Sequence, residues 1–116
     1  MDVKRRRAAD AASAQLAAGV ASYALGAPEA DILELRRGPA ATAFARHVAM
    51  YLCHTGFELS LARVAAAFGR DRSTVAHACH AIEDRREEPH FDLWIGALEA
   101  MLKRAPAPTP VPEKTR

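Results

Sequence analysis

The chain reads as all-α, a compact helical bundle built around a helix-turn-helix, and three observations lead there. Residues 61–68 carry Leu61, Val64, Ala65 and Phe68 at i, i+3, i+4 and i+7, the apolar stripe of a short amphipathic helix. Gly69 and Arg70 interrupt that pattern, and a second stripe of Val75, Ala78, Cys79 and Ile82 follows with the same period. Half of the residues are hydrophobic but only 6% are aromatic, which suits an alanine-rich helix bundle. At 116 residues the chain is long enough for one domain with a modest core.

The elements follow in order. Residues 1–13 form a basic N-terminal arm, opened by Lys4-Arg5-Arg6-Arg7. Such a run serves either as a solvated terminus or as an arm tracking phosphates. Leu16, Val20 and Tyr23 give a first helix an apolar face, and Gly26 followed by Pro28 stops it. Asp31 is the expected N-cap of a short helix through Ile32, Leu33 and Leu35, which runs into Arg36-Arg37-Gly38-Pro39. Thr42 caps a helix to about Thr55, with Phe44, Val48, Tyr51 and Leu52 on one face and Gly56 as its stop. Ser60 caps the first helix of the helix-turn-helix, and Asp71 caps the second. Glu87, Glu88 and Pro89 end that second helix. A last amphipathic helix carries Phe91, Trp94, Ile95, Leu98, Met101 and Leu102. Its face closes the core or, since it holds the lone Trp, offers a partner surface. The domain spans residues 14–104, and residues 105–116 are a proline-alternating tail without a core.

In a helix-turn-helix the second helix enters the major groove with its N-terminal side chains toward base edges. Here Asp71, Arg72, Ser73, Thr74, Ala76 and His77 take that position, on the side opposite the apolar stripe. Arg pairs bidentately with guanine, Ser bonds most base edges, and the Ala methyl packs on a thymine methyl. Two core helices of an ordinary bundle would give the same periodicity.

The ordered matches Arg46-His47-Val48-Ala49-Met50-Tyr51-Leu52-Cys53, Leu59-Ser60-Leu61, Ala67-Phe68-Gly69-Arg70-Asp71, Ser73-Thr74-Val75, His77-Ala78-Cys79 and Ile82-Glu83 resemble the C-terminal DNA-binding domain of the bacterial replication initiator DnaA. The similarity runs from about Ala14 to Leu102, with its specific part over Arg46 to Glu83. The resemblance implies a helical domain that binds a short duplex box, with a basic loop in the adjacent minor groove. Arg36 and Arg37 are the minor-groove candidates, since Arg suits a narrow, negative groove. Arg46, Arg63 and Arg70 are the phosphate candidates, the first by the family's basic residue at that place and the second because the leading helix crosses the backbone. Two departures affect specificity. The family commonly has two glycines before Arg-Asp and a His-Thr-Thr triplet after it, where this chain has Gly69 alone and Arg72-Ser73-Thr74. A shorter turn re-aims the helix, and guanidinium for imidazole changes the preferred base edge.

The net charge of +2 is polarised. Residues 36–72 hold six arginines against Glu58 and Asp71, a balance of +4, and residues 83–99 hold two against six acids, a balance of −4. Local patches govern phosphate attraction. Cys53 and Cys79 sit at apolar positions, as buried free thiols of a reducing compartment do. No signal-peptide pattern is evident and no run approaches the roughly 18 apolar residues of a membrane span. A cytoplasmic, nucleoid-associated bacterial protein is expected, its bacterial origin resting on the resemblance.

Cys53, His54, His77, Cys79 and His80 contain no C-x2-C or H-x3-H pair, so no metal is expected. No cofactor is expected either, because the glycine-rich phosphate loop of the full initiator's ATPase is missing. No catalytic arrangement emerges, and the chain is read as a binding protein rather than an enzyme. The leading reading is a sequence-specific double-stranded-DNA-binding transcriptional regulator. DnaA-like domains detached from the ATPase occur among bacterial and phage-derived regulators, including activators of gene transfer agents. One such insertion binds weakly, so a second copy, RNA polymerase or a companion regulatory protein is an expected partner. The alternatives are a replication modulator competing for initiator boxes, and a protein-interaction module that has lost DNA binding.

Overall fold

The computed structural model describes residues 2–34 and 40–105 and contains six helices among them: α1 (Val3–Leu25), α2 (Glu29–Leu33), α3 (Ala40–Gly56), α4 (Leu61–Phe68), α5 (Arg72–Arg85) and α6 (Pro89–Arg104). Helix α3 is the hub and packs against all five others. Its Val48, Ala49, Met50, Leu52 and Cys53 are wholly enclosed. Among the described residues, no helix is long and apolar enough to cross a membrane.

Helix α1 departs from the sequence expectation in two ways. It starts at Val3, capped by Asp2, whose carboxylate accepts the Lys4 amide. Residues 3–13 are thus its opening turns rather than a separate arm, because an Ala-rich stretch favours helix as soon as a cap is available. Its buried face is Ala14, Ala17, Ala18 and Ala21, with Leu16 and Val20 only flanking and Tyr23 82% exposed. Small side chains let two helices approach closely, and burying them costs no rotamer entropy. The alanine seam therefore prevails over a stripe of larger residues.

Helix α2 also starts earlier than expected. Pro28 occupies the N-cap position and its carbonyl accepts the Asp31 and Ile32 amides, so Asp31 lies inside the helix. Leu35 lies outside the described residues. Helix α2 is held from α3: the buried Arg46 donates from Nε to the Ile32 carbonyl at 2.9 Å and from Nη2 to the Asp31 carbonyl at 2.8 Å. These carbonyls at the end of a helix have no intrahelical partner, and a cation there is favoured. Thr42, expected as the cap of α3, lies buried in its first turn instead.

The helix-turn-helix follows the stripes closely. Ser60 Oγ accepts the Arg63 amide at 3.2 Å, opening α4. Gly69 closes it in the left-handed conformation, φ 66°, with its amide on the Ala65 and Ala66 carbonyls. Before α4, His54 Nδ1 lies 2.6 Å from the Leu59 carbonyl, so it is Nδ1 that carries the proton, and this bond orders the chain leading into Ser60.

Helix α6 closes the core through Ile95, Leu98 and Leu102, with Glu88 Oε1 accepting the Phe91 amide and Pro89 in the first turn. Met101 sits at the rim. Phe44, Phe91 and Trp94 form a half-buried aromatic cluster, with the Arg85 guanidinium 4.2 Å from the Phe91 ring centre and 4.8 Å from that of Phe44. The lone Trp is therefore packed rather than displayed. Arg86 donates to Asp92 at 2.6 Å and to Glu99 and Tyr51 at 3.0 and 3.1 Å, joining the end of α5 to α6 and α3.

Two outcomes follow. Arg46→Ala strips two charge-assisted bonds from the carbonyls of Ile32 and Asp31 and should lower stability by about 2–3 kcal/mol, read as a lower urea midpoint at unchanged slope. Burial pushes the Cys53 thiol up to about 12 and that of Cys79 to about 11. Both should resist a thiol-titrating disulfide reagent at pH 8 until the protein is unfolded. Because the folded values exceed the ordinary thiol value, stability is retained at neutral pH and declines as pH rises from about 9 through 11 and 12.

Candidate nucleic-acid interface

The periodicity of α5 divides it into two faces. Val75, Ala78, Cys79 and Ile82 are buried against α3 and α4, which turns Arg72, Ser73, Thr74 and His77 outward and leaves Ala76 half-buried beside them. Asp71 adopts the backbone of an N-cap, φ −71° and ψ 151°, yet its carboxylate makes no capping bond. It is exposed at the tip of the helix, next to Arg72. All six residues expected to face a major groove thus lie together on the leading turns of one rigid element.

The three phosphate candidates each make a contact within the fold. Arg46 is buried, and its Nε and Nη2 are committed to the α2 carbonyls, so it anchors the fold and does not present its charge outward. Arg63 holds Asp10 bidentately, Nε to Oδ2 at 2.9 Å and Nη2 to Oδ1 at 2.7 Å, which largely cancels its charge. Arg70 donates from Nη2 to the Glu34 carbonyl at 2.5 Å, tying the turn to the end of α2. Long arginine stems reach internal acceptors as readily as external ones, and an internal acceptor is already in place. Arg36 and Arg37, the minor-groove candidates, lie outside the described residues.

A residue passed over in the sequence joins the site. His47 stands on α3 against the recognition-helix position, its ring edge-on to that of His77 with centroids 6.4 Å apart and planes at 86°. Burial, then the neighbouring His77 and Arg46, hold its imidazole below the ordinary histidine value. The signal was present in the Arg46-His47 pair: Ala45 and Ala49 flank it on the buried side, so the helical turn sends Arg46 inward and His47 toward α5. Among the described residues, no three of His, Cys, Asp and Glu gather as a metal site would require.

The arrangement has close counterparts. A family model described as the bacterial DnaA protein helix-turn-helix matches residues 18–82, more than half of the chain. The chain belongs to the bacterial DnaA helix-turn-helix family. Curated relatives include the chromosomal replication initiator protein DnaA of Lachnoclostridium phytofermentans, 38% identical over 66 residues, 55% of this chain. The initiator DnaA 2 of Chlamydia caviae is 41% identical over 56 residues, 48% of this chain. The chain spans only 15% and 12% of the lengths of those two relatives. A crystal structure described as a DNA replication initiation factor superposes with a TM-score of 0.75 at 28% identity, covering 87% of this chain and 31% of that one. The family match thus runs from within α1 to near the end of α5, and the structural likeness extends over most of the chain.

The His47–His77 pair gives a measurable pH effect. Because the folded His47 value is depressed, its contribution to stability is present above about pH 6.5 and is lost as pH falls through the folded value. Urea midpoints compared at pH 7.5 and 5.5 should fall for the wild type, and His47→Gln should remove part of that fall.

Proposed function

We propose that the chain is a sequence-specific double-stranded-DNA-binding protein that acts as a transcriptional regulator. The observation that carries this reading is the outward cluster Asp71, Arg72, Ser73, Thr74 and His77 on α5, opposite a wholly buried stripe. Gly69, in the left-handed conformation, opens the three-residue turn from α4 into that helix. Each outward side chain has a base-edge or phosphate partner available in a major groove. Membership of the DnaA helix-turn-helix family supports duplex DNA as the ligand. Arg36 and Arg37 are the proposed minor-groove residues. Regulation by analogy with detached DnaA-like domains, including gene transfer agent activators, is the finer part of the proposal. It implies a second copy, RNA polymerase or a companion regulator as partner, because one inserted helix gives little affinity.

A second reading is favoured by the relatives, whose names are those of chromosomal replication initiators. A protein sharing their DNA-binding fold would compete for the same boxes and modulate replication. Selection of duplexes from a random pool at about 150 mM salt, where non-specific phosphate binding is already weak, separates the two. Enrichment of the initiator's box favours the second reading, a different compact motif the first, and no enrichment overturns both.

With the selected duplex, Arg72→Ala should cost about 1–3 kcal/mol in binding and relax the preference at one base position, as should His77→Ala at another. Titration of a fluorescent duplex, followed by anisotropy, reads both effects.

A further inference from the structure

Outside the groove-facing cluster, four consecutive cations stand exposed in the first turns of α1, namely Lys4, Arg5, Arg6 and Arg7. Among the described residues none of their side chains enters a hydrogen bond or ion pair, whereas Arg46, Arg63, Arg70 and Arg86 all do. Their position relative to α4 gives two of them a direction. Asp10 on α1 grips Arg63 on α4, and a groove of about 310 Å³ there is lined by Arg7, Asp10 and Ala11 of α1 and by Arg63, Ala66 and Ala67 of α4. Moving from Asp10 to Arg7 goes toward the start of α1, while moving from Arg63 to Ala66 goes toward the end of α4. Arg7 therefore shares a groove with the last turn of α4, which leads through Gly69 into α5.

Helical spacing then sorts the four cations. Lys4, Arg7 and Ala11 succeed one another at i, i+3 and i+7, so Lys4 shares the side of Arg7 that faces the groove. Arg5 and Arg6 are turned about 100° and 200° from Lys4. Asp10 has both oxygens on Arg63 and leaves Arg7 unneutralised. Beyond Arg63, which Asp10 holds, the α4 wall of the groove is alanine and adds little bulk beside Arg7.

We propose that Lys4 and Arg7 contact backbone phosphates of duplex DNA beside the box, extending the footprint along the flank on the side of the turn. The proposal rests on the DNA-binding reading above. Contacts of this kind carry no base information; they add affinity through counterion release and steady the register of α5. They also supply outward charge that Arg46, held on the α2 carbonyls, and Arg63, paired with Asp10, do not.

The test uses the full chain and a labelled duplex holding the selected motif with native-length flanks, titrated between about 100 and 300 mM salt. Lys4→Gln with Arg7→Gln should flatten the slope of log K against log salt by about 1.8, at about 0.9 per phosphate. The ranking of motif variants should not change, and trimming the flanks to the motif should erase the difference from wild type. Arg5→Gln with Arg6→Gln removes the same charge from the other sides of α1 and should flatten the slope by less than half as much. Circular dichroism checks that both pairs keep their helix content. An unchanged slope, or an equal effect of the two pairs, overturns the proposal and leaves the DNA-binding reading standing. Failure of the wild type to prefer any duplex overturns both.

Discussion

The seam of Ala14, Ala17, Ala18 and Ala21 is the constraint on which the rest depends, because it sets how α1 lies against α3. From α3 the other placements follow. Arg46 seats α2, Tyr51 and Thr55 join Arg86 and Glu99 at the far end, and the inner side of α5 packs on the same helix. A larger residue in the seam would have to push two helices apart against a core already packed, and overpacking of that kind commonly costs about 1–3 kcal/mol. The position of α5 thus depends in part on residues, the seam alanines, that carry no functional group.

Arginine is divided between two roles in this molecule, and position within the helix decides which. Where a helical turn directs the side chain inward, as at Arg46, the guanidinium ends on carbonyls left open at the end of α2. Where an acid waits on a neighbouring helix, as Asp10 does for Arg63, the charge serves to join two elements. Only arginines with neither option, among them Arg7 and Arg72, keep their full field outside the protein. Net charge is therefore a poor guide to the electrostatic footprint of so small a domain.

Much of this was legible in the sequence. The stripes of α4 and α5, the cap at Ser60, the stop at Gly69 and the closing face of α6 all depend on local rules, and each reappears in the structure. What escaped reading depends on long-range choices. Alanine does not announce a buried face as Leu16 and Val20 do, so the seam of α1 was hidden by its own smallness. Asp10 and Arg63 are 53 residues apart, and nothing local pairs them. His47 was eclipsed by Arg46 beside it, since which of two adjacent residues turns inward depends on the packing of α3.

One detail at the tip of α5 bears on discrimination rather than strength. The Asp71 carboxylate, unused as a cap, stands ahead of Arg72 at the end that the proposed complex would insert. A bare anion brought near phosphates is repelled, and the loss is recovered only where a donor such as the cytosine amino group meets it. Its main effect would then be to penalise incorrect sites. The domain would then gain selectivity by rejecting incorrect DNA, instead of gripping all of it and sorting afterwards.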